Sequence, residues 1–179
     1  MDPPPVFTLA LLSDSSHLPD LLRGILHTIF FHRFFSSFRP FTRDLLDITL
    51  PSFNDPALDT VIESRLRTLE GDTAPPQVAV CFYEKKARKA SWFAKEEKVC
   101  WEQWVINITL VAPRTEAERA HARRQIEDQL QATILKIIAV ASAEKNHVPP
   151  ITTNDANPFP YTIALLPKGE TWGTRMGIF

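Results

Sequence analysis

The alternation of apolar and polar positions predicts a strand and then a helix at the start of the chain. Val6–Leu12 is a short and nearly continuous apolar run, which is typical of a buried strand. Leucine, isoleucine and phenylalanine then recur three and four residues apart between about Leu18 and Arg33, and so form one apolar stripe on a helix. Pro19 suits the first turn of this helix, and Ser13–Ser16 supplies turn and capping groups before it.

Two further elements are predicted between this helix and the centre of the chain. Residues 34–53 combine phenylalanines and β-prone residues with prolines, which favours a loop with one or two strands. Asn54 or Asp55 is placed to cap a second helix, which Pro56 opens and Gly71 closes. The inward face of that helix consists of Leu58, Ile62, Leu66 and Leu69.

A long hairpin is predicted next. Val78–Tyr83 and Trp101–Val111 have the composition of strands, and the charged segment between them, about 85–99, is too long for a tight turn. In the second strand apolar residues alternate with polar ones, which predicts one dry face and one wetter face. The dry face consists of Trp104, Ile106, Ile108 and Leu110.

A long helix and a strap are predicted after the hairpin. Thr115 and Glu118 have the spacing of a capping box, and the helix is expected from about Glu116 to Lys145. Residues 132–141 are apolar nearly all round, so this half of the helix must be covered on more than one face, by this chain or in part by a partner. The remainder, about 149–179, is rich in proline, asparagine and threonine and contains one strand, Tyr161–Leu166.

Together these elements predict a single α+β domain over residues 1–179. Three main helices are expected to pack on one face of a mainly antiparallel β-sheet, with the C-terminal strap lying over the domain. Hydrophobic residues make up 44% of the 179 residues, which suffices for one sizeable core and argues against two domains.

Trp92 and Phe93 lie in the middle of the charged hairpin segment. Each exposed aromatic ring leaves roughly 150–250 Å² available for burial, and monomeric proteins rarely keep such contiguous apolar surface uncovered. The pair therefore indicates a docking finger. Burial of both rings against the sheet agrees equally well with the residues alone.

Net charge and cysteine usage narrow the classes of partner. A net charge of -1 gives no global field that holds nucleic acid, and the arginines from Arg114 to Arg124 interleave with acidic residues, which favours a solvated helix face. Cys81 and Cys100 belong to no CxxC or Cys/His cluster, so neither a disulfide framework nor a zinc site is expected. The chain has no basic secretion signal and no apolar run of the ~20 residues that span a bilayer, which predicts a soluble cytoplasmic protein.

Neither a catalytic site nor a cofactor site is predicted. The five glycines lack the spacing of a P-loop or a dinucleotide fingerprint. His27 and His32 are five residues apart, which places them some 140° apart around a helix and prevents them from chelating one metal ion together. No nucleophile signature surrounds Cys81 or Cys100, so both are expected to be buried structural thiols.

Four segments resemble a known family in their residues, order and spacing. They are Gly24–Arg33 (GILHTIFFHR), Phe82–Lys86 (FYEKK), Trp101–Trp104 (WEQW) and Thr115–Arg119 (TEAER). Together they are similar to the autophagy-related protein 101 family. The resemblance covers roughly residues 6–150 and is strongest from residue 82 onwards.

The resemblance implies a HORMA domain with a C-terminal safety belt and a role without catalysis or cofactors. It implies a scaffold subunit of the autophagy-initiation kinase complex, which pairs with the HORMA domain of autophagy-related protein 13 and is recruited to the phagophore assembly site. In this family the loop equivalent to Trp92 and Phe93 is an exposed finger that recruits downstream autophagy factors. The partner-facing residues expected on the solvent side of the long helix are Arg123, Arg124, Glu127 and Gln131.

A membrane- or lipid-sensing module is the alternative function. In that case Trp92 and Phe93 insert at the membrane interface, and the basic residues around them meet anionic headgroups. These basic residues are Lys85, Lys86, Arg88, Lys89 and Lys95.

Overall fold

The computed structural model describes residues 3–69, 77–86, 97–153 and 155–166. Within these ranges six strands and three helices follow one another along the chain. They are β1 (Val6–Ser13), α1 (Leu18–Arg33), β2 (Pro40–Leu45), β3 (Ile48–Phe53), α2 (Pro56–Arg67), β4 (Gln77–Lys86), β5 (Glu97–Leu110), α3 (Glu116–Ala143) and β6 (Tyr161–Leu166). The predicted α+β class and the predicted order of elements are confirmed.

The main sheet has four strands in the order β1-β5-β4-β6. β4 pairs antiparallel with both β5 and β6, whereas β1 pairs parallel with β5. The sheet is therefore mixed, although most of its pairings are antiparallel as predicted. β2 and β3 form a separate antiparallel hairpin, which confirms the strands expected within residues 34–53.

The free edge of β1 is covered by α3. Thr133 Oγ1 donates a hydrogen bond to the carbonyl oxygen of Ala10 at 2.8 Å, and Lys136 Nζ donates to the carbonyl oxygen of Thr8 at 2.7 Å. Unpaired strand edges invite pairing with other chains, and these two bonds satisfy part of the edge. They also fix the rotation of α3 relative to the sheet.

α1 is buried on nearly all sides because it contacts α2, α3 and the β2–β3 hairpin. Gly24 permits the close approach of the hairpin, since a β-carbon at this position would lie 2.6 Å from Leu50 Cδ1. At the start of α1, the predicted turn and capping segment Ser13–Ser16 supplies the side chain that bonds to the backbone. His17 is the N-cap residue and makes no side-chain cap bond, while Asp14 Oδ1 accepts from the backbone N–H of His17 at 2.9 Å.

The other two helices begin at the predicted caps. Asp55 accepts from the backbone N–H of Leu58 at 2.7 Å, and Pro56 is the first residue of α2. This helix ends at Arg67, before the predicted Gly71, which lies outside the described residues.

The capping box of α3 is present. Glu118 N–H donates to Thr115 Oγ1 at 3.1 Å, and the Glu118 carboxylate accepts from the backbone N–H of Thr115 in return. The backbone N–H groups of Arg114 and Thr115 lower the pKa of Glu118, because they stabilise its ionised form.

The core lies between the main sheet and the helices and is rich in aromatic rings. Trp104 and Ile106 are fully buried, as the alternation predicts, and the rings of Phe30 and Phe82 meet edge to face with centroids 5.3 Å apart. Leu110, predicted on the same dry face, is instead 43% exposed because it is the last residue of β5. Gln103, predicted on the wetter face, is buried because β1 and β4 flank it on both sides.

The segment after α3 returns to the sheet as β6. Phe159 is buried and packs edge to face on Trp101, with centroids 5.0 Å apart. Pro160 O accepts from the backbone N–H of Tyr83 at 2.8 Å, next to the ladder that joins β6 to β4. The predicted strand of the strap is thus confirmed, and residues 167–179 lie outside the described part of the chain.

Candidate protein-interaction site

The solvent side of α3 carries an apolar stripe that the described residues of this chain leave uncovered. The core-facing residues of α3 are Ala122, Ile126, Leu130, Thr133, Ile134, Ile137 and Ala141. At 100° per residue, Leu135 lies roughly opposite Ile137 on the helix. Leu135 is 58% exposed and Ile138 is 36% exposed, and Ala132 and Ala139 beside them are exposed as well.

A shallow cavity separates this stripe from the hairpin. It has a volume of about 340 Å³. Its lining comes from the β2–β3 hairpin (Asp47, Ile48, Thr49, Pro51) and from α3 (Gln131, Ile134, Leu135, Ile138). Apolar and polar side chains thus line it together, and protein interfaces combine both kinds.

Of the four predicted partner-facing residues, Arg124 and Gln131 lie within about 40° of Leu135 around α3. Glu127 and Arg123 lie about 80° and 120° away from it. Gln131 lines the cavity directly. Arg123 and Arg124 are exposed, and Glu127 is half-buried. Arg124, Gln131 and Ile138 follow one another at intervals of seven residues. Each interval turns the side chain by only about 20° around the helix, so the three lie along one side of α3.

Ion pairs hold part of this polar region in place. Arg123 Nε donates to Glu127 Oε1 at 2.9 Å, and another nitrogen of the same guanidinium lies 3.9 Å from Asp47 Oδ2 at the tip of the hairpin. Exposed pairs of this kind contribute at most about 1 kcal/mol each to stability. Their effect here is to keep the hairpin tip beside α3 and to orient Arg123.

Leu135 and Ile138 are the site residues that reasoning from the sequence missed. Residues 132–141 are apolar nearly all round, and this composition alone does not separate the face that meets the core from the face that meets the solvent. The signal was present in the spacing, because residues 134, 137 and 141 form one helical stripe and residues 135 and 138 form another.

Trp92 and Phe93, the predicted docking pair, lie outside the described residues. The strands on either side are longer than predicted, since β4 reaches Lys86 and β5 begins at Glu97. These two residues are paired in the ladder, so residues 87–96 are joined to a paired, two-stranded root. Of the segment predicted as a finger, about 85–99, residues 85–86 and 97–99 therefore belong to the strands, and the rest lies outside the described residues.

A second cavity, of about 620 Å³, lies between the β1–α1 turn and the first turns of α3. Its charged side chains are largely paired with one another. His17 Nδ1 is 2.8 Å from Asp14 Oδ2, and Arg119 is 3.4 Å from Glu116 Oε2. Ser16 Oγ lies 3.2 Å from His17 Nδ1, but the same hydroxyl donates to Asp14 Oδ1 at 2.7 Å and both contacts are exposed, so no chemistry is assigned to the cavity.

The described ranges offer neither a metal site nor a membrane-spanning helix. No group of three or more His, Cys, Asp or Glu side chains there is placed to hold a metal ion. None of the helices in the same ranges is long and apolar enough to cross a membrane. The absence of enzymatic activity stays a prediction.

The two cysteines differ in exposure. Cys81 in β4 is buried as predicted, whereas Cys100 in β5 is half-buried, so the expectation of two buried thiols is wrong for Cys100. Cys100 is the fourth residue of β5, and the three residues before it are also exposed or half-buried, so burial begins only at Trp101.

Comparison with known proteins identifies similar chains. Residues 10–155 match the family described as Autophagy-related protein 101. The protein of that name from Arabidopsis thaliana is 31% identical over 178 residues, covering 84% of this chain and 82% of the relative. That from Schizosaccharomyces pombe is 27% identical over 175 residues, covering 94% and 91%. That from Homo sapiens is 25% identical over 149 residues, covering 71% and 67%.

Proposed function

This chain belongs to the autophagy-related protein 101 family and has an autophagy-related role, and on that premise we propose that it is a non-catalytic scaffold subunit of the autophagy-initiation kinase complex. In this proposal the fold is a HORMA domain. It pairs one to one with the HORMA domain of autophagy-related protein 13 and stabilises it. The protein acts in the cytoplasm and is recruited to the phagophore assembly site.

The uncovered apolar stripe of α3 is the observation that carries this proposal. When a partner covers a second apolar stripe of this kind, the free energy of binding becomes more favourable by roughly 25 cal/mol for each Å² of apolar surface removed from water. Leu135 and Ile138 supply that surface, and the hairpin supplies one wall of the cavity beside it. A folded partner domain with an apolar face of its own is the occupant that covers the whole stripe.

The polar residues around the stripe give the proposed interface its specificity. Polar residues occupy the two turns of α3 that precede the apolar stripe. They are Arg123, Arg124, Glu127 and Gln131. Charged groups at the rim of an interface steer encounter and reject wrong partners more than they add affinity. Charge changes here, such as Gln131→Glu or Arg124→Glu, should therefore weaken pairing less than changes at Leu135.

Trp92 and Phe93 are proposed as a second, separate contact that recruits downstream autophagy factors. The ladder between β4 and β5 continues to Lys86 and Glu97, so both ends of the segment that carries the pair are held by the sheet. A rigid root reduces the entropy that a docking segment loses on binding, which supports affinity for a partner.

Light scattering coupled to size-exclusion chromatography tests the pairing. The purified chain alone is expected to self-associate or to be poorly soluble, because the stripe of α3 is uncovered. Mixed with the HORMA domain of autophagy-related protein 13, it should elute with the mass of one copy of each. A stable monomer that does not bind this domain would rule out the proposal.

The membrane alternative has weaker support from the described basic residues. Lys85 Nζ lies 3.8 Å from Asp155 Oδ2, and Lys86 Nζ lies 3.3 Å from Glu84 Oε2. These acids reduce the local positive potential that attracts anionic lipid. Flotation with liposomes that contain phosphatidylserine separates the two functions, since a scaffold remains at the bottom of the gradient.

A further inference from the structure

A β-bulge brings the two cysteines to the same face of the main sheet. Cys81 lies opposite Gln103, and the register shifts between Phe82 and Tyr83, so that Tyr83 lies opposite Cys100. In a regular strand Cys100 and Gln103, three residues apart, would point to opposite faces. Trp101 is the extra residue of the bulge, and it restores Cys100 to the face of Gln103 and Cys81.

Contacts of the side chains agree with this register. Gln103 Nε2 lies 3.6 Å from Cys100 Sγ, which places both on one face. Trp101 instead packs on Phe82 in the core, with ring centroids 5.6 Å apart. Cys81 and Cys100 are therefore diagonal neighbours across β4 and β5, close enough for each thiol to shift the pKa of the other.

This interaction makes the two thiols chemically unequal. The thiol of Cys81, together with the amide of Gln103, lowers the pKa of Cys100 to about 7, although partial burial opposes the shift. The same interaction and burial raise the pKa of Cys81. Cys100 is thus the thiol that ionises first as pH rises, and Cys81 stays protonated beside it.

We propose that Cys81 and Cys100 form a peroxide-reactive dithiol, which closes reversibly to a disulfide across β4 and β5. The half-buried Cys100 is the attacking group and the buried Cys81 is the resolving group.

The chemistry balances with hydrogen peroxide as the oxidant. The Cys100 thiolate attacks one peroxide oxygen, the O–O bond breaks, and hydroxide leaves to give a sulfenic acid at Cys100. Because the negative charge at Cys100 is then gone, its effect on the pKa of Cys81 is relieved, and Cys81 loses its proton more easily. Its sulfur attacks the sulfenic sulfur, the S–S bond forms, and the oxygen leaves as water. Two thiols and one peroxide thus give one disulfide and two waters.

The disulfide joins the strands at the root of the segment that carries Trp92 and Phe93. Four residue pairs, from Tyr83 with Cys100 to Lys86 with Glu97, lie between the bulge and residues 87–96. Closing the bond encloses residues 82–99 in one covalent loop, so oxidation restrains the separation and twist of the two strands there.

Thiol mapping on the intact protein tests the proposal directly, because the chain has only two cysteines. The protein is treated with stoichiometric hydrogen peroxide, alkylated with N-ethylmaleimide and weighed by mass spectrometry. We expect a monomer that has lost two hydrogen atoms, takes up no maleimide and regains both thiols with dithiothreitol. Two maleimide adducts after treatment, or dimers linked through either cysteine, would overturn the proposal.

Single substitutions separate the two roles. In Cys81→Ser the sulfenic acid at Cys100 has no resolving partner and should be trapped by dimedone. In Cys100→Ser the remaining Cys81 should react with peroxide at least ~10-fold more slowly. Equal rates for the two variants contradict the assignment of roles.

The unmodified sequence offers a measurement that does not depend on folding of the variants. The rate at which Cys100 is alkylated should rise with pH around an inflection near 7. An inflection at the ordinary thiol value of about 8.5 would show that Cys81 does not activate Cys100.

Discussion

Arg33 Nε lies 2.9 Å from both carboxylate oxygens of Glu102, and both side chains are buried. The pair joins the last residue of α1 to the middle of β5. His147 Nε2 lies 2.7 Å from the same carboxylate, and the indole N–H of Trp104 donates to it. Glu102 is thus surrounded by donors, which is what a buried carboxylate requires.

The guanidinium also fixes the point at which the chain leaves α3. Arg33 Nη1 donates to Ala141 O at 3.1 Å, and Nη2 donates to Glu144 O at 3.0 Å. The last carbonyls of a helix have no partner within the helix, so Arg33 satisfies groups that would otherwise be unpaired. One cluster therefore ties together α1, β5 and the segment that leads to β6.

Removal of Arg33 should strongly destabilise the fold. Arg33→Met leaves the Glu102 carboxylate in a buried site without its counter-ion, and we expect a loss of about 3–5 kcal/mol in the free energy of unfolding, measured by urea denaturation. The double variant Arg33→Met with Glu102→Met should lose less than the single variant, because no uncompensated charge remains. Arg119→Met, which breaks an exposed pair, is the control, with a change of at most about 1 kcal/mol. A loss as small in Arg33→Met as in the control contradicts this account.

Truncation of the core should be costly where the sheet meets the helices. Trp104 is fully buried in β5, and Leu26 is buried in α1. Trp104→Ala is expected to cost ~3–5 kcal/mol and Leu26→Ala ~2–5 kcal/mol in chemical denaturation. Leu135→Ala, at an exposed position, should stay within about 0.5 kcal/mol of the parent. Unfolding curves of Trp104→Ala that coincide with those of the parent would disprove the strand register.

Acidification should destabilise the fold through His27. Burial lowers the pKa of His27, and the nearby Asp59 carboxylate, 3.2 Å from Nε2, offsets this only in part. In the unfolded chain His27 has a pKa of about 6.5, whereas in the fold its pKa is lower. Below about pH 6.5 the unfolded state therefore binds a proton that the folded state does not. The free energy of unfolding is thus at its full value above that pH and falls as the pH drops towards the folded pKa. Thermal melting between about pH 7.5 and 5 measures the decline.

His27→Gln provides the comparison, because it removes this titration. Burial also lowers the pKa of His32, so the variant should show a shallower decline and not a flat profile. Identical pH profiles for the parent and the variant would exclude His27 as a source of the acid sensitivity.

The docking pair should be dispensable for folding and necessary for recruitment. If Trp92 and Phe93 are exposed, replacing both by Ala changes stability by no more than about 0.5 kcal/mol, whereas a buried aromatic residue costs roughly 3–5 kcal/mol. Pull-down of downstream autophagy factors from cell extract should fail with the double variant, while the complex with autophagy-related protein 13 persists. A large drop in melting temperature, or undiminished recruitment, contradicts the finger.

Local chemistry made the helices predictable from the sequence. The side chains of Asp55 and Thr115 accept from backbone N–H groups three residues further along the chain. The ring of Pro56 restricts its own backbone to the conformation of a first helical turn. These signals involve only residues close together in the sequence, so they can be recognised without the fold. The bounds of α1 follow in the same way from its apolar spacing. The predicted end of α2 at Gly71 was too late, because the backbone N–H groups of Thr68 and Leu69 already bond three residues back, to Arg65 O and Leu66 O, and so leave the α-helical pattern.

The features that sequence could not supply depend on distant pairings. β1 lies parallel to β5, which pairs Val6 with Gln103, and no local pattern specifies that partner. The bulge at Trp101 reverses the face of Cys100, so alternation counted along β5 misplaces it. The uncovered side of α3 was equally hidden, since it depends on where the hairpin and β1 pack against that helix.

Isothermal titration calorimetry with the HORMA domain of autophagy-related protein 13 tests the central claim most directly, because it measures what covers α3. The parent chain should bind with one-to-one stoichiometry, and Leu135→Glu should weaken binding at least thirtyfold, or ~2 kcal/mol, because it places a charge in the apolar centre of the interface. Ile151→Glu is the matched control, since Ile151 is 54% exposed and lies outside α3, and its affinity should stay within about twofold of the parent. Equal affinities for the parent and Leu135→Glu, with both variants melting as the parent does, would contradict the proposed interface.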